Sequence, residues 1–103
     1  MRNAAFAIGQ IIHVRDGDMR GVVVDVDEHF QAPGELPDKI RAALPNPEQP
    51  WYYVLVDGSE DRIYVAEESV QPDADGSPVE HPGLEQFFRH FDAGRYQPQY
   101  RLN

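Results

Sequence analysis

Two carboxylates spaced two residues apart, Asp25 and Asp27, follow a run of valines in the stretch GVVVDVDE. Paired carboxylates can chelate a hard cation or exchange a proton with a substrate. A cation site requires several further oxygen ligands or a nearby imidazole, and the adjoining sequence offers the Glu28 carboxylate and the His29 imidazole, which do not complete a ligand set. In an extended chain both acids point to the same face, so we predict that they form the solvated side of a strand rather than a metal site.

Other patterns typical of catalysis are missing from the sequence. The chain has no cysteine, which excludes thiol chemistry and zinc sites built on sulfur. The serines fall in predicted turns without a serine-centred glycine elbow, the glycines do not form a phosphate-binding loop, and the histidines lack metal-ligand spacing. The four histidines are His13, His29, His81 and His90. We therefore predict a protein without catalytic residues, cofactor or metal.

Length and charge restrict the function further. With 103 residues, the chain is predicted to form a single domain over residues 1–103. Its 18 acidic and 9 basic residues give a formal net charge of −9, which repels nucleic-acid phosphate and anionic lipid. DNA binding is thus disfavoured, and it would require Arg15, Arg20 and Arg62 to cluster on one edge of the fold. No stretch has the length of a signal peptide or membrane span, so we expect a soluble, cytoplasmic protein.

Five short strands are expected from the alternating, β-branched and aromatic segments. In the second segment, Val22, Val24 and Val26 are predicted to share the buried face. The segment WYYVLVD, residues 51–57, is apolar on both faces and is predicted to be the central strand. The predicted strands lie within residues 8–15, 20–27, 51–57, 62–66 and 69–71.

Two further segments complete the predicted architecture. Residues 28–50 contain five prolines and are predicted to be a long connection with a short, lid-like helix within residues 36–44. Residues 82–92 carry Leu84, Phe87, Phe88 and Phe91 at the i, i+3, i+4 and i+7 spacing of a C-terminal helix. The fold class is therefore mainly β: a small, SH3-like, partly open barrel with a C-terminal helix, with an OB-type barrel as the alternative.

The aromatic content exceeds what a small core readily uses, and aromatic residues are enriched in protein interfaces. For each of these residues the alternative role is to fill the core. We predict a surface for a protein partner or for self-association that consists of Phe87, Phe88, Phe91, Tyr96 and Tyr100.

The blocks FAIGQIIHV, MRGVVVDVDEHF, QPWYYVLV, YVAEESV and QPDADGSPVEHP, in this order, resemble the HspQ heat-shock family, also called the YccV-like or hemimethylated-DNA-binding domain family. The resemblance implies an SH3-like barrel and a bacterial cytosolic stress protein. It also implies an accessory role toward the Lon protease, as a specificity-enhancing factor or as a substrate, and an older assignment as a binder of hemimethylated DNA.

The chain departs from the family pattern at Val14 and Tyr53, where histidine is common, and at Glu28, where proline is common. Roles that depend on those histidines are not carried over, and the family offers no catalytic residues. We predict a non-enzymatic accessory protein that modulates ATP-dependent proteolysis through protein contacts; the alternative is binding of hemimethylated DNA.

Overall fold

The computed structural model describes residues 4–15, 17–30, 45–92 and 94–98 of the chain. Strands dominate these ranges, and helical structure is limited to two single turns. In chain order the elements are β1 (Ile11–Val14), β2 (Arg20–Asp27), β3 (Trp51–Val56), β4 (Arg62–Ala66), a 3-10 turn (Glu67–Ser69), β5 (Val70–Pro72), α1 (Leu84–Phe87), β6 (Phe88–Asp92) and β7 (Arg95–Pro98).

The first five strands form one antiparallel sheet in the order β4-β3-β2-β1-β5. The prediction of a mainly β protein with five short antiparallel strands is therefore confirmed, and β3 lies inside the sheet as expected. Among the described residues no ladder joins β4 to β5, so the sheet is not closed and the SH3-like barrel is not confirmed.

A β-bulge interrupts the pairing of β2 with β3. Val23 lies opposite Val54, and the next matched pair is Asp25 with Tyr53, which leaves Val24 without a partner. A bulge inserts one extra residue, so the strand alternates in the opposite sense beyond it.

The prediction that Val22, Val24 and Val26 share one face is consequently wrong for Val26. Val22 and Val24 pack in one hydrophobic cluster, whereas Val26 packs against the cluster on the other face. The acids after the bulge then lie on the face of Val22, because the extra residue exchanges the two sides.

Both faces of the sheet are covered, which explains why β3 is apolar on both sides. We call the two clusters the first core and the second core. The buried residues of the first core are Ile11, Val22, Leu55, Val79, Phe88 and Tyr96, and those of the second core are Ile12, Val23, Tyr52, Val54 and Val70.

The predicted C-terminal helix over residues 82–92 is wrong beyond its first turn. Only Leu84–Phe87 is helical, and Phe88–Asp92 pairs with Arg95–Pro98 as a hairpin. The register shifts between Phe88 and His90, so a bulge places Phe88 and Phe91 toward the same core although they are three residues apart. A three-residue apolar spacing therefore suits a bulged strand as well as a helix.

Some predicted features lie outside the described residues. These are the lid-like helix within residues 36–44, most of the connection over residues 28–50, and Tyr100. Within the ranges that are described, no helix has the length and hydropathy needed to span a membrane.

Candidate functional site

Strand β2 carries an arginine at its first residue and two carboxylates at its end. Arg20 opens the strand, and Asp25 and Asp27 follow the bulge at Val24. A strand rises about 3.3 Å per residue, so these charges lie well apart. The beginning and the end of β2 are therefore separate environments, and the charged groups at each end have different partners.

The two carboxylates lie at a surface groove formed by β2, β3, β4 and α1. Asp25 pairs across the ladder with Tyr53, β4 contributes Arg62, and α1 contributes Phe87. The groove has a volume of about 290 Å³, just below the roughly 300–1,000 Å³ of typical ligand pockets, so it suits one side chain rather than a large cofactor. We call it the acidic groove, and its lining residues are Val24, Asp25, Asp27, Tyr53, Val54, Arg62 and Phe87.

A stack of aromatic rings adjoins the acidic groove. The ring centroids of Tyr53 and Tyr64 are 4.5 Å apart, and those of Tyr64 and Trp51 are 5.3 Å apart. Phe30 meets the Trp51 indole edge-on at 4.8 Å. Such ring pairs contribute about 0.5–1.5 kcal/mol each beyond their buried area. The stack therefore orients Tyr53, which is nevertheless 37 % exposed.

The carboxylates of the acidic groove accept hydrogen bonds but are not paired with a cation from the described part of the chain. Asp27 Oδ2 accepts a hydrogen bond from the Tyr64 hydroxyl at 2.8 Å, and Asp25 Oδ1 accepts one from the Val26 amide at 2.8 Å. Among the described residues, no basic side-chain nitrogen lies within 4.0 Å of either carboxylate. The groove thus carries two carboxylates against the single guanidinium of Arg62, and no described basic group pairs with either acid.

Two other groove residues carry polar groups of different character. Partial desolvation raises the pKa of Tyr53, and the charges of Asp27 and Asp25 raise it further, so the phenol stays neutral at physiological pH. Arg62 directs its guanidinium toward α1 rather than toward the two acids: Nη2 donates to Gln86 Oε1 at 3.5 Å, and Cζ lies 5.8 Å from the centre of the Phe87 ring.

At the other end of β2, two carboxylates hold Arg20. Nη1 donates to Asp57 Oδ2 at 2.7 Å, while Nε and Nη2 donate to Asp73 Oδ2 at 3.3 and 3.2 Å. The carbonyl oxygens of Ser77 and Pro78 accept further hydrogen bonds from the guanidinium. Only 16 % of the Arg20 side chain is exposed. This cluster, which we call the Arg20 clamp, fastens β2 to the β3–β4 turn and to residues 73–78.

Hydrogen bonding keeps the groups of the Arg20 clamp charged. The Glu80 amide lowers the pKa of Asp57, and Arg20 lowers it further against the effect of burial. Burial raises the pKa of Asp73, but the Gly76 amide and Arg20 together outweigh burial and lower it. Burial lowers the pKa of Arg20, but the hydrogen bonds from Arg20 to Asp57 and Asp73 outweigh burial, so the pKa is raised.

The three arginines predicted to contact DNA have separate surroundings. Arg15 donates to the Glu68 carbonyl at 3.0 Å and to Gln71 Oε1 at 3.3 Å, near the β5 edge of the sheet. Arg20 belongs to the clamp, and Arg62 lies on β4 at the opposite edge. They share no hydrogen-bonding partner among the described residues, and the DNA-contacting role stays a prediction.

The aromatic residues predicted to bind a partner fall into two groups. Phe88 and Tyr96 are 6 % and 7 % exposed and belong to the first core. Phe87 and Phe91 are half-buried against that core, and Phe87 also lines the acidic groove. Tyr100 lies outside the described residues. The core role therefore holds for Phe88 and Tyr96, whereas partner binding stays a prediction.

Sequence reasoning identified the acid pair and the aromatic residues but missed their convergence. Asp25 and Tyr53 meet through a ladder whose register depends on the bulge, and neither segment signals that register by itself. The clamp partners of Arg20 were missed for a similar reason, since they lie 37 and 53 residues away along the chain.

The chemistry of the acidic groove suits non-covalent recognition. Within the described ranges, no group of three or more His, Cys, Asp or Glu side chains is placed to hold a metal ion. What the groove offers is two carboxylates, a neutral phenol and aromatic ring surface, and these groups bind cations and hydrogen-bond donors.

Comparison with known protein families gives a match over most of the chain. The family model described as "Hemimethylated DNA-binding protein YccV like" matches residues 4–95. Searches of the curated proteins and of the solved structures returned no match to this chain.

Proposed function

The chain belongs to the YccV-like family, and from that premise we propose that it is a non-enzymatic accessory protein of ATP-dependent proteolysis during heat and folding stress. The partner implied by the resemblance is the Lon protease, toward which the chain acts as a specificity-enhancing factor or as a substrate. The proposal assigns the protein to the cytoplasm and assigns it no catalytic residue and no cofactor.

The observation that carries this proposal is the acidic groove. Its two carboxylates lack a cationic partner among the described residues, and beside them Tyr53 is 37 % exposed. Protein interfaces concentrate binding energy in a few aromatic and charged anchors that lie close together. A groove of this composition is suited to contact with another polypeptide.

The distribution of positive charge also favours a protein partner over a nucleic acid. DNA affinity depends mainly on Lys and Arg side chains that displace counterions from phosphates. The whole chain has 9 such residues against 18 acids, and the guanidinium of Arg20 is already bound to Asp57 and Asp73. A phosphate would have to compete with two carboxylates for that side chain.

The test compares the degradation of a model unfolded substrate by purified Lon protease with and without this protein. We expect the degradation rate to change at least twofold, or this protein to be consumed itself. An equal concentration of an unrelated acidic protein is the control, since it reproduces non-specific charge effects. Unchanged rates, together with no association of the two proteins at tens of micromolar, would refute the proposal.

A second candidate function, binding of hemimethylated DNA, is favoured by the description of the matching family. Reading methylation requires contacts to base edges in the major groove, held in register by contacts to phosphates. Because the net charge is −9, we expect weak binding that is lost between about 50 and 200 mM salt.

A gel-shift assay with matched unmethylated, hemimethylated and fully methylated duplexes tests this second function. The expected result is little preference among the three duplexes. A methylation-dependent shift at nanomolar protein that persists at physiological salt would make DNA binding the primary function.

A further inference from the structure

We propose that the acidic groove binds a lysine or arginine side chain presented by an extended segment of the partner protein. The inference rests on the proposed function, because it specifies how the same groove recognises a polypeptide. It concerns Asp25, Asp27, Tyr53 and Phe87 as the groups that contact the incoming side chain.

Charge complementarity is the first argument. The groove contains two carboxylates against the single guanidinium of Arg62, which bonds to Gln86 rather than to either acid. The hydrogen bonds that the two acids accept from described residues come from neutral donors: the Tyr64 hydroxyl, the Val26 amide and the Tyr53 hydroxyl. A cation entering the groove would gain charge-assisted hydrogen bonds that no described residue now provides.

The aromatic surface is the second argument. Cations are attracted to the faces of aromatic rings within about 6 Å of the centroid. The groove already shows this contact, since Arg62 Cζ lies 5.8 Å from the centre of the Phe87 ring. The exposed ring of Tyr53 adds a second apolar surface for the aliphatic stem of a long basic side chain.

Size is the third argument. The groove volume of about 290 Å³ accommodates one long side chain. The same negative charge repels a nucleic-acid phosphate and so favours a polypeptide over a nucleic acid as the partner. A flexible basic side chain is the protein group that combines positive charge with a stem long enough to cross an aromatic surface.

Binding is measured by titrating the ¹⁵N-labelled full chain with the blocked pentapeptides acetyl-Gly-Ser-Arg-Ser-Gly-amide and its lysine analogue. The peptide with citrulline in place of arginine is the neutral, nearly isosteric control. We expect millimolar binding of the basic peptides, with amide shifts at Val24–Asp27, Tyr53 and Phe87, and at least tenfold weaker binding of the citrulline peptide. Equal binding of the citrulline peptide, or shifts confined to other surfaces, would overturn the inference.

Variants locate the effect in the groove. The double variant Asp25→Asn/Asp27→Asn should weaken binding of the arginine peptide at least tenfold, and Arg62→Gln should tighten it about two- to fivefold by removing a competing cation. Asp18→Asn, which removes one exposed negative charge from the β1–β2 turn and so matches the single variant Asp25→Asn in charge, is the control and should change binding less than twofold. If the groove variant and the control lose the same affinity for the arginine peptide, the effect comes from the net negative charge of the protein, and the proposed binding site in the groove is overturned.

Folding of the variants is checked by thermal melting. If the double variant melts at a lower temperature than the wild type, the single variant Asp25→Asn replaces it, because among the described residues the Asp25 carboxylate accepts a hydrogen bond from the Val26 amide alone. The single variant should still weaken binding at least threefold, and unchanged binding would overturn the inference.

Occupation of the groove by a second copy of this chain is a separate outcome. Sedimentation equilibrium at 10 and 200 μM detects it. A wild-type dimer that dissociates in Asp25→Asn/Asp27→Asn would assign the groove to self-association and overturn the proposal that it binds a basic side chain of another protein. A monomeric wild type supports that proposal.

The protease assay with wild type and the double variant separates this inference from the proposed function. If both proteins change the degradation rate equally, the function stands and the groove is not its contact. If neither changes the rate while the basic peptides bind in the groove, the groove assignment stands and the proteolytic function fails.

Discussion

The two ends of β2 handle charge in opposite ways. At its beginning, Arg20 is 16 % exposed and bonds to two carboxylates and two carbonyl oxygens. At its end, Asp25 is exposed, Asp27 is half-buried, and neither has a cationic partner among the described residues. The same strand therefore carries a saturated cluster and an open one.

This difference in charge pairing indicates that the Arg20 clamp stabilises the fold, whereas the acidic groove is suited to binding. A buried charge without partners is costly, so the complete Arg20 clamp stabilises the fold. Exposed carboxylates are hydrated and cost little when unpaired, so they remain available for a ligand. Removing charge should therefore reduce stability at the clamp and reduce recognition at the acidic groove.

The largest effect is expected from Arg20→Leu. The substitution removes the guanidinium that joins Asp57 and Asp73 in a partly buried site and leaves Asp73 with the His13 imidazole at 3.6 Å, and such losses typically cost about 3 kcal/mol or more. Urea denaturation monitored by the fluorescence of Trp51 measures the free energy of unfolding. Arg15→Leu is the control, because its exposed hydrogen bonds should be worth less than about 1 kcal/mol. Equal losses in both variants would contradict the comparison.

A smaller loss of stability is expected on acidification. The folded-state pKa values of Asp57 and Asp73 are both lowered from 3.8, so their contribution is complete above that value and is lost as the pH falls through the folded-state values. Protonation of Asp57 and Asp73 removes their ion pairs with Arg20 but leaves no carboxylate charge without a partner. The loss of stability should therefore be smaller than in Arg20→Leu.

Denaturation curves from pH 6 to pH 2 test this dependence. The wild type should lose more stability over that range than Arg20→Leu, in which the guanidinium no longer lowers either pKa. Parallel curves for the two proteins would show that other carboxylates dominate acid unfolding.

The double variant Asp25→Asn/Asp27→Asn should change the free energy of unfolding by no more than about 0.5–1 kcal/mol. One carboxylate is exposed, and an asparagine oxygen can still accept the hydrogen bond from Tyr64. Urea denaturation of this double variant and of Arg20→Leu under the same conditions measures the two changes in the free energy of unfolding for direct comparison. A loss as large as that of Arg20→Leu would show that the acids are structural and end the distinction between the two ends of β2.

The smallest effect concerns the titration of Tyr53. Its pKa is raised partly by the charges of Asp27 and Asp25, so neutralising both acids should lower it toward 10.0 without a change in structure. The ring carbon shifts of tyrosine, followed by NMR from pH 8 to pH 12, report this change. An unchanged Tyr53 titration would mean that the two acids do not act on the groove at this distance.

Much of the sheet follows from the sequence alone. Alternation of apolar and polar residues predicted all five strands of the main sheet to within a few residues, and the doubly apolar segment WYYVLV predicted a strand covered on both faces. These features depend on neighbours two residues apart, so they are visible without knowledge of the fold. The acid pair was likewise predicted to face solvent, and Asp25 does so.

Tertiary structure decided the rest. The bulge at Val24 reversed the valine faces, and pairing with Arg95–Pro98 made Phe88–Asp92 a strand where the local spacing predicted a helix. The acidic groove and the Arg20 clamp join residues tens of positions apart in the chain. Their assembly depends on strand register and on the burial of charge, which are set by the energy of the whole packed sheet and are absent from any local pattern.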